Sequence, residues 1–347
     1  MIAPRRRFVR YAAVLACIHR GGNELSGPNA SGTPPEVSPP TALIGLDWGT
    51  TSLRAYRIAA SGEVLQARIV TAGILKLPNG GFPEALASVV GDWAYAYPDA
   101  VLLASGMVGA RQGWVEVPYV ELPANLAAVA HACAEVPVGA EQVLYVVPGV
   151  STCGEGESAD VMRGEETQAF GALPTSGTAR LVLPGTHSKW LTVVDEALIS
   201  FATYMTGELF AMLSTQSILA ATMDKNVDDP AAFEEGVTVG FEHGKALLHR
   251  LFSVRARVLV GTLAEQSSRA YLSGLLLGAE IADGITTLPT DAGFDEGLII
   301  VGEARLAETY LSALRVLGIA AHAGPSQAAP AGLLRIARAR GLLAGPQ

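Results

Sequence analysis

Apolar residues in this chain fall into short unbroken runs and into stripes of helical spacing, and the two patterns alternate. Leu43–Asp47 is an apolar run of the kind that forms a buried strand. Ser52–Ile58 and Val64–Ala72 continue as strands, joined by a turn at Ser61-Gly62. Within Gly81–Tyr97, the residues Leu86, Val89, Val90, Trp93 and Tyr97 recur at helical spacing and predict one apolar helix face. Ala100–Ser105 has the composition of a strand covered on both sides. A Gly-rich loop to Pro123, a helix over Asn125–Ala134 and a strand at Gln142–Val147 complete the first half.

The second half repeats this grammar. Arg180–Leu183, Lys189–Val194 and Ala197–Thr203 read as strands, and Thr206–Ala221, Pro230–Arg250 and Ser268–Asp283 as helices. A strand at Leu298–Val301 precedes a helix over Glu303–Leu317, with Leu306, Tyr310, Leu314 and Leu317 on one face. A short strand at Ile319–Ala323 and a helix to Leu343 close the chain. Alternating strands and helices predict an α/β protein with a largely parallel sheet. The two halves also share a local pattern. Leu46-Asp47-Trp48-Gly49-Thr50-Thr51-Ser52 aligns with Val182-Leu183-Pro184-Gly185-Thr186-His187-Ser188, so Gly-Thr-x-Ser twice follows an apolar strand and precedes another.

Composition narrows the function classes. The chain has 347 residues, half of them hydrophobic and 16% charged, which suits two domains with substantial cores. Its formal net charge of -9 disfavours nucleic acid as a partner. Three scattered cysteines, Cys17, Cys133 and Cys153, form neither a disulfide framework nor a zinc motif, and a reducing cytoplasm is the simplest setting. Residues 1–40 differ from the rest, with five Arg against two Glu and a Pro/Ser/Gly-rich end. Arg5–Ile18 makes a poor signal peptide because Arg10 interrupts its apolar run. The segment reads as an N-terminal extension, disordered or the product of an over-long gene start. No run is apolar enough for a membrane span.

Several residues could carry chemistry. Asp47 ends an apolar strand and precedes Gly49, Thr50, Thr51 and Ser52. A carboxylate facing backbone N–H and hydroxyl groups suits magnesium and phosphate. The second turn adds Gly185, Thr186, His187, Ser188 and Lys189, and the two turns could grip a polyphosphate between them. Arg163-Gly164-Glu165-Glu166 opens a short helix where the halves join, and one of its acids could serve as general base for a substrate hydroxyl. Equally, acids in a first helical turn answer the helix dipole. Gly106 and Met107 follow a buried strand, and Arg111 in the same loop could pair with a carboxylate. Gly302 lies in a strand–Gly–helix turn where a flat base could approach the backbone.

These turns resemble the three nucleotide motifs of the sugar kinase, Hsp70 and actin superfamily. More closely, LDWGTTSLRAY, GMVGARQGW, MRGEETQAFGA, LPGTHSKW and MTGEL resemble the 2-dehydro-3-deoxygalactonokinase family over about residues 41–345. The resemblance implies two ribonuclease H-like domains with a nucleotide cleft between them, the actin-like ATPase fold. Residues 41–160 would form a sugar-acid-binding domain and residues 161–347 an ATP-binding one. It implies ATP-dependent phosphorylation of the 6-hydroxyl of 2-dehydro-3-deoxy-D-galactonate in galactonate catabolism, with ATP and Mg²⁺ as cofactors. Asp47 would hold the metal, Gly49–Ser52 and Gly185–Lys189 the phosphates, and Gly302 would face the nucleoside. Glu165 resembles the catalytic acid, with Glu166 as its alternative, and Gly106, Met107, Arg111 and Arg163 would bind substrate. Arg111, Arg163 and Lys189 all remain open as partners of the substrate carboxylate. The implied protein is cytoplasmic, with a small-molecule substrate, no nucleic-acid or membrane partner, and a homodimer left open. A kinase for another 2-keto-3-deoxy sugar acid, such as the gluconate epimer, a phosphohydrolase of the same fold and an ATP-switched interaction protein are the competing readings.

Overall fold

The computed structural model describes residues 39–78, 80–139, 142–153, 159–173, 177–223, 228–287 and 297–344. Most of residues 1–40, read above as an extension, therefore lie outside the described residues. In chain order the strands are β1 (Thr41–Trp48), β2 (Leu53–Ala59), β3 (Val64–Val70), β4 (Val101–Gly106), β5 (Val120–Glu121), β6 (Ala124–Asn125), β7 (Ala134–Pro137) and β8 (Val143–Val146). They continue as β9 (Val150–Thr152), β10 (Asp160–Met162), β11 (Thr178–Leu183), β12 (Ser188–Val194), β13 (Ala197–Tyr204), β14 (Leu298–Ile300) and β15 (Ala321–Ala323).

The chain divides into two compact units, residues 1–118, 127–149 and 329–347 in the first, and residues 119–126 and 150–328 in the second. This interleaving differs from a single cut at 160/161 at three segments, residues 119–126, 150–160 and 329–347. β9 pairs with β10 and β5, which draws residues 150–160 into the second unit. The last helix, Ala328–Ala339, lays Leu333 against Gly45 of β1, so it belongs with the first.

Each unit is built on the same sheet. In the first, the order is β3-β2-β1-β4-β8-β7. The hairpins β1–β2 and β2–β3 are antiparallel, whereas β1–β4 and β4–β8 are parallel. In the second, the order is β15-β14-β11-β12-β13-β6, again with an antiparallel meander, β11–β12–β13, and parallel pairs β11–β14 and β14–β15. Matching β1 to β11 and β4 to β14 brings five strands of each sheet into the same order, while β7 and β6 extend opposite edges. This is the doubled ribonuclease H-like α/β topology of the actin-like ATPase fold. The expected largely parallel sheet is thus corrected to a mixed one: connections as short as those at 49–52 and 184–187 permit only antiparallel return.

Most predicted elements stand within a few residues of their expected ends, including the helix Phe82–Ala96, whose Leu86, Val89, Val90 and Trp93 are buried. Three differ. Pro230–Arg250 is two helices, Pro230–His243 and Leu247–Leu259, separated by a 3₁₀ turn at Gly244–Ala246. The helix expected over Asn125–Ala134 shrinks to Leu126–His131, because Ala134–Pro137 joins the sheet edge as β7. The small sheet β10-β9-β5 was not anticipated, its strands being only two or three residues long.

The second unit's core rests on an unusually close helix pair. Helices Pro230–His243 and Ser268–Thr287 meet where glycines face backbone: a Cβ on Gly240 would lie 2.2 Å from the Leu275 carbonyl, and one on Gly278 2.1 Å from the Val237 carbonyl. Glycine costs a helix about 1 kcal/mol relative to alanine, so these positions lose propensity and gain close backbone packing. Gly278→Ala should lower stability by about 1–3 kcal/mol or more through overpacking. Thr286→Ala, on the exposed side of the same helix, should leave the melting temperature nearly unchanged. Calorimetric melting of both variants checks this, and equal melting temperatures would contradict it.

Candidate active site

In the first unit, a four-residue turn joins β1 to β2. Gly49 N–H donates to the Ser52 carbonyl at 2.9 Å, and Thr50 and Thr51 are exposed. The turn is tied from behind. Ile74 N–H donates to the Gly49 carbonyl and Leu75 N–H to the Thr50 carbonyl, each at 3.1 Å. Gly73 makes that approach feasible, since a Cβ there would sit 2.3 Å from the backbone of Thr51. Below the turn, buried Trp48 donates its indole N–H to the Ala72 carbonyl and packs edge-on against Phe82 and Trp114.

Asp47 lies just before this turn, its side chain 14% exposed, with Oδ2 3.2 Å from Nη1 of Arg54 on the facing strand. Burial, reinforced by the Asp47 charge, pushes the Tyr56 phenol up to about 12. A single partly exposed carboxylate flanked by hydroxyls fits Mg²⁺, which takes one or two carboxylates and fills its shell with water and phosphate oxygens. Gly106 pairs with Trp48 across parallel β4 and β1, so the Gly106–Trp114 loop emerges beside Asp47 at the carboxyl ends of these strands. Trp114 stacks on Phe82 and its N–H donates to the Val108 carbonyl, which folds the loop back and leaves Arg111 exposed. The carboxyl ends of parallel strands are where open α/β sheets bind ligands.

The second unit repeats the arrangement. Residues 184–187 connect β11 to β12, with Thr186 and His187 exposed. Glu208 N–H donates to the Thr186 carbonyl at 3.0 Å, and a Cβ on Gly207 would come within 2.4 Å of the Gly185 carbonyl. The helix Thr206–Gln216 therefore starts directly behind the turn. His187 Nε2 contacts Glu208 Oε2 at 2.5 Å. Gly302 is exposed beside Pro184, at the end of the neighbouring parallel strand β14.

A cavity of about 850 Å³ opens beside this turn, lined by Gly185, Thr206 and Gly207, by Phe210 and Phe233, and by polar groups that include Arg269, Arg305 and Thr309. Its size and its mixture of aromatic and polar walls suit a nucleoside. Beneath it, Glu280 is buried on the helix Ser268–Thr287. It accepts from Trp190 Nε1 at 2.8 Å and from the Tyr310 hydroxyl at 3.0 Å. Burial raises its pKa, while hydrogen bonds, those from Trp190 and Tyr310 among them, pull the other way. Among the residues expected on the phosphate, Ser188 is fully buried and its hydroxyl donates to the Tyr204 carbonyl. Lys189 is likewise buried and directs its ammonium inward.

The two acids of Arg163-Gly164-Glu165-Glu166 have opposite surroundings. Glu165 keeps 28% of its side chain exposed; Oε1 lies 3.3 Å from Lys189 Nζ, and Oε2 accepts from the Arg163 N–H at 3.0 Å. Lys189 Nζ also donates to the His187 carbonyl at 3.2 Å, so one lysine separates Glu165 from the second turn. Glu166 is wholly buried and accepts from the Gly164 N–H and the Thr167 hydroxyl. Burial, and then the neighbouring Glu165 charge, push its carboxyl up to about 7. The Arg163 guanidinium stacks over Tyr119 at 4.3 Å.

Within each unit, then, most sequence-predicted residues come together: Asp47, Gly49–Ser52, Gly106 and Met107 in the first, with Arg111 exposed further along the loop, and Gly185–His187, Lys189, Glu165 and Gly302 in the second. Sequence reading did not assign Gly73, Gly207, Glu208, Glu280 or the cavity walls. MTGEL was a legible signal for Gly207 and Glu208, whereas nothing marks an isolated Gly73 or a helical Glu280.

Comparison with known proteins gives the family. The sequence model of the 2-keto-3-deoxy-galactonokinase family matches residues 47–336. A Rhizobium meliloti (strain 1021) protein named "Probable 2-dehydro-3-deoxygalactonokinase DgoK1" is 36% identical over 301 residues, covering 85% of this chain and 96% of the relative. The 2-dehydro-3-deoxygalactonokinase of Escherichia coli (strain K12) is 33% identical over 299 residues, covering 85% and 97%. The crystal structure of a Sinorhizobium meliloti protein, provisionally named for the same enzyme, aligns with a TM-score of 0.78 at 35% identity, covering 86% of this chain and 98% of that one. With the match extending through both Gly-Thr turns and the Glu165 helix, the chain belongs to the 2-dehydro-3-deoxygalactonokinase family of sugar-acid kinases.

Proposed function

We propose that the protein transfers the γ-phosphoryl group of ATP to the 6-hydroxyl of 2-dehydro-3-deoxy-D-galactonate, giving the 6-phosphate and ADP, in a reducing cytoplasm. The observation that carries the mechanism is the position of Glu165: a partly exposed carboxylate, one lysine away from the second hydroxyl turn.

In this reading the second unit binds ATP. The nucleoside occupies the cavity between Phe210 and Arg305, with Gly302 at its edge, and the Gly185–His187 turn meets the phosphates. The first unit binds the sugar acid at the Gly106–Met107 loop, where exposed Arg111 offers a guanidinium for its carboxylate. Asp47 holds Mg²⁺, and the turn Gly49–Ser52 presents its hydroxyls to phosphate oxygens. The metal would supply charge neutralisation on the transferring phosphoryl group. Both turns have carbonyls tied from behind, so acceptors that would repel an anion face away from it.

Glu165 takes the proton of the primary hydroxyl as that oxygen attacks the γ-phosphorus in line. The new P–O bond forms as the bond to the β,γ-bridging oxygen breaks, and that oxygen leaves with ADP. Glu166 cannot take this part without moving, because its carboxylate is fully enclosed.

A coupled ADP-release assay across 2-keto-3-deoxy sugar acids, with γ-labelled ATP, tests the reading. ADP release should require a keto-deoxy acid bearing a free 6-hydroxyl, with the label on the sugar and little turnover of plain galactonate or gluconate. Label appearing as free phosphate without a sugar acid would overturn it. Glu165→Gln should lower kcat about 10²-fold or more.

Glu166 yields a separate expectation. Its folded pKa of about 7 exceeds its reference value of 4.5, so its favourable contribution is complete below pH 4.5 and lost as pH rises through 7. Glu166→Gln keeps the acceptor but never ionises. Relative to the parent it should therefore gain stability across this window, on the order of 3 kcal/mol by pH 8. Melting temperatures from pH 4.5 to 8 give the comparison, and a difference independent of pH would contradict the assignment.

A further inference from the structure

We propose that Lys189 is a positioning residue that fixes the Glu165 carboxylate against the phosphate turn, rather than a ligand for phosphate or for the substrate carboxylate. The proposal rests on the reading of Glu165 as the base.

Burial sets Lys189 apart from its neighbour in the turn. Lys189 is 3% exposed, although its neighbour His187 lies at the surface. A buried ammonium is tolerated only when paired, and its placement here has two partners at comparable range: Glu165 Oε1 at 3.3 Å and the His187 carbonyl at 3.2 Å. These belong to different elements, the helix Glu165–Ala172 and the end of the 184–187 turn. A ligand lysine would present its ammonium to solvent, whereas this one spans a seam between two parts of one unit.

The second oxygen of Glu165 is also held, by the Arg163 N–H at 3.0 Å. A glutamate side chain has three rotatable bonds, so a carboxylate fixed at only one oxygen could still swing. Held at both, it retains a lone pair on each oxygen for a substrate proton. The lysine also sets the separation between the proton acceptor and the turn assigned to the phosphates. Misplacing a catalytic group by about 1 Å can cost on the order of 10²-fold in rate. β12 makes the anchor rigid: Lys189 pairs with Leu183 on one side and Thr203 on the other, in the middle of an antiparallel meander.

The test is a kinetic cycle with Lys189→Met, Lys189→Arg, Glu165→Gln and the Glu165→Gln/Lys189→Met double variant, each with a melting curve and the affinity for a non-hydrolysable ATP analogue. Lys189→Met should lower kcat about tenfold to hundredfold while KM for ATP and analogue affinity change less than about threefold. Lys189→Arg should recover part of the loss. On the Glu165→Gln background, removing the lysine should cost little more, because the two act as a unit. Equal losses on both backgrounds, a collapse of analogue affinity, or unchanged kcat in Lys189→Met would each overturn the proposal. An active Glu165→Gln enzyme would instead overturn the reading of Glu165 as base. If Lys189→Met does not fold, Glu165→Asp carries the test. Its carboxylate is one methylene short of the lysine, so kcat should fall nearly as far as in Glu165→Gln, and full activity would refute the positioning role.

Discussion

Backbone packed directly on backbone holds both hydroxyl-rich turns in place, and the rest of the candidate site depends on it. In each unit a glycine from a later segment reaches the back of the turn at a distance that no side chain would allow, Gly73 behind Thr51 and Gly207 behind Gly185. The following N–H groups then bond the turn's carbonyls. The same device appears twice in unrelated local sequence, once from a loop and once from the first turn of a helix. A Gly-Thr turn alone is common and flexible. Pinned at its carbonyls, it becomes a surface whose outward groups are donors, which is what an anion requires.

The second unit adds a layer of buried charge beneath that surface. Lys189 is matched to Glu165, and Glu280 accepts from Trp190 and Tyr310. Each element that carries these groups also borders the turn or the cavity. Buried polar groups are costly unless satisfied, so such a network resists displacement of any one member. One helix of the pair packed through Gly240 and Gly278 carries Glu280 itself.

Much of this was legible in the sequence. The alternation of strands and helices gave the fold class, and the Gly-Thr-x-Ser echo matches equivalent β1–β2 and β11–β12 hairpins in two sheets that share a five-strand order. Asp47 and the second turn were found because strand ends followed by glycine and hydroxyls have a distinctive local pattern. The remainder depends on contacts distant in sequence. Ser188 and Lys189 follow Thr186 without a break, yet β12 begins at Ser188 and turns both side chains into the core. Glu165 and Glu166 are adjacent, but one helical step separates an accessible carboxylate from an enclosed one. The interleaved units could not be read off because pairing of β9 with β10, and docking of the last helix on β1, link segments with no local signature. Glu280 looks like any surface residue of an amphipathic helix until Tyr310 and Trp190 are brought around it.

The central claim is the proposal that each pinned turn is a phosphate-binding surface. Amide hydrogen exchange, followed by mass spectrometry with and without a magnesium-bound non-hydrolysable ATP analogue, measures it most directly. The account predicts slower exchange in peptides covering Thr50–Ser52 and Gly185–His187 together, along with the Thr206–Phe210 wall of the cavity. Protection of the cavity and one turn only, or of neither turn, would contradict it.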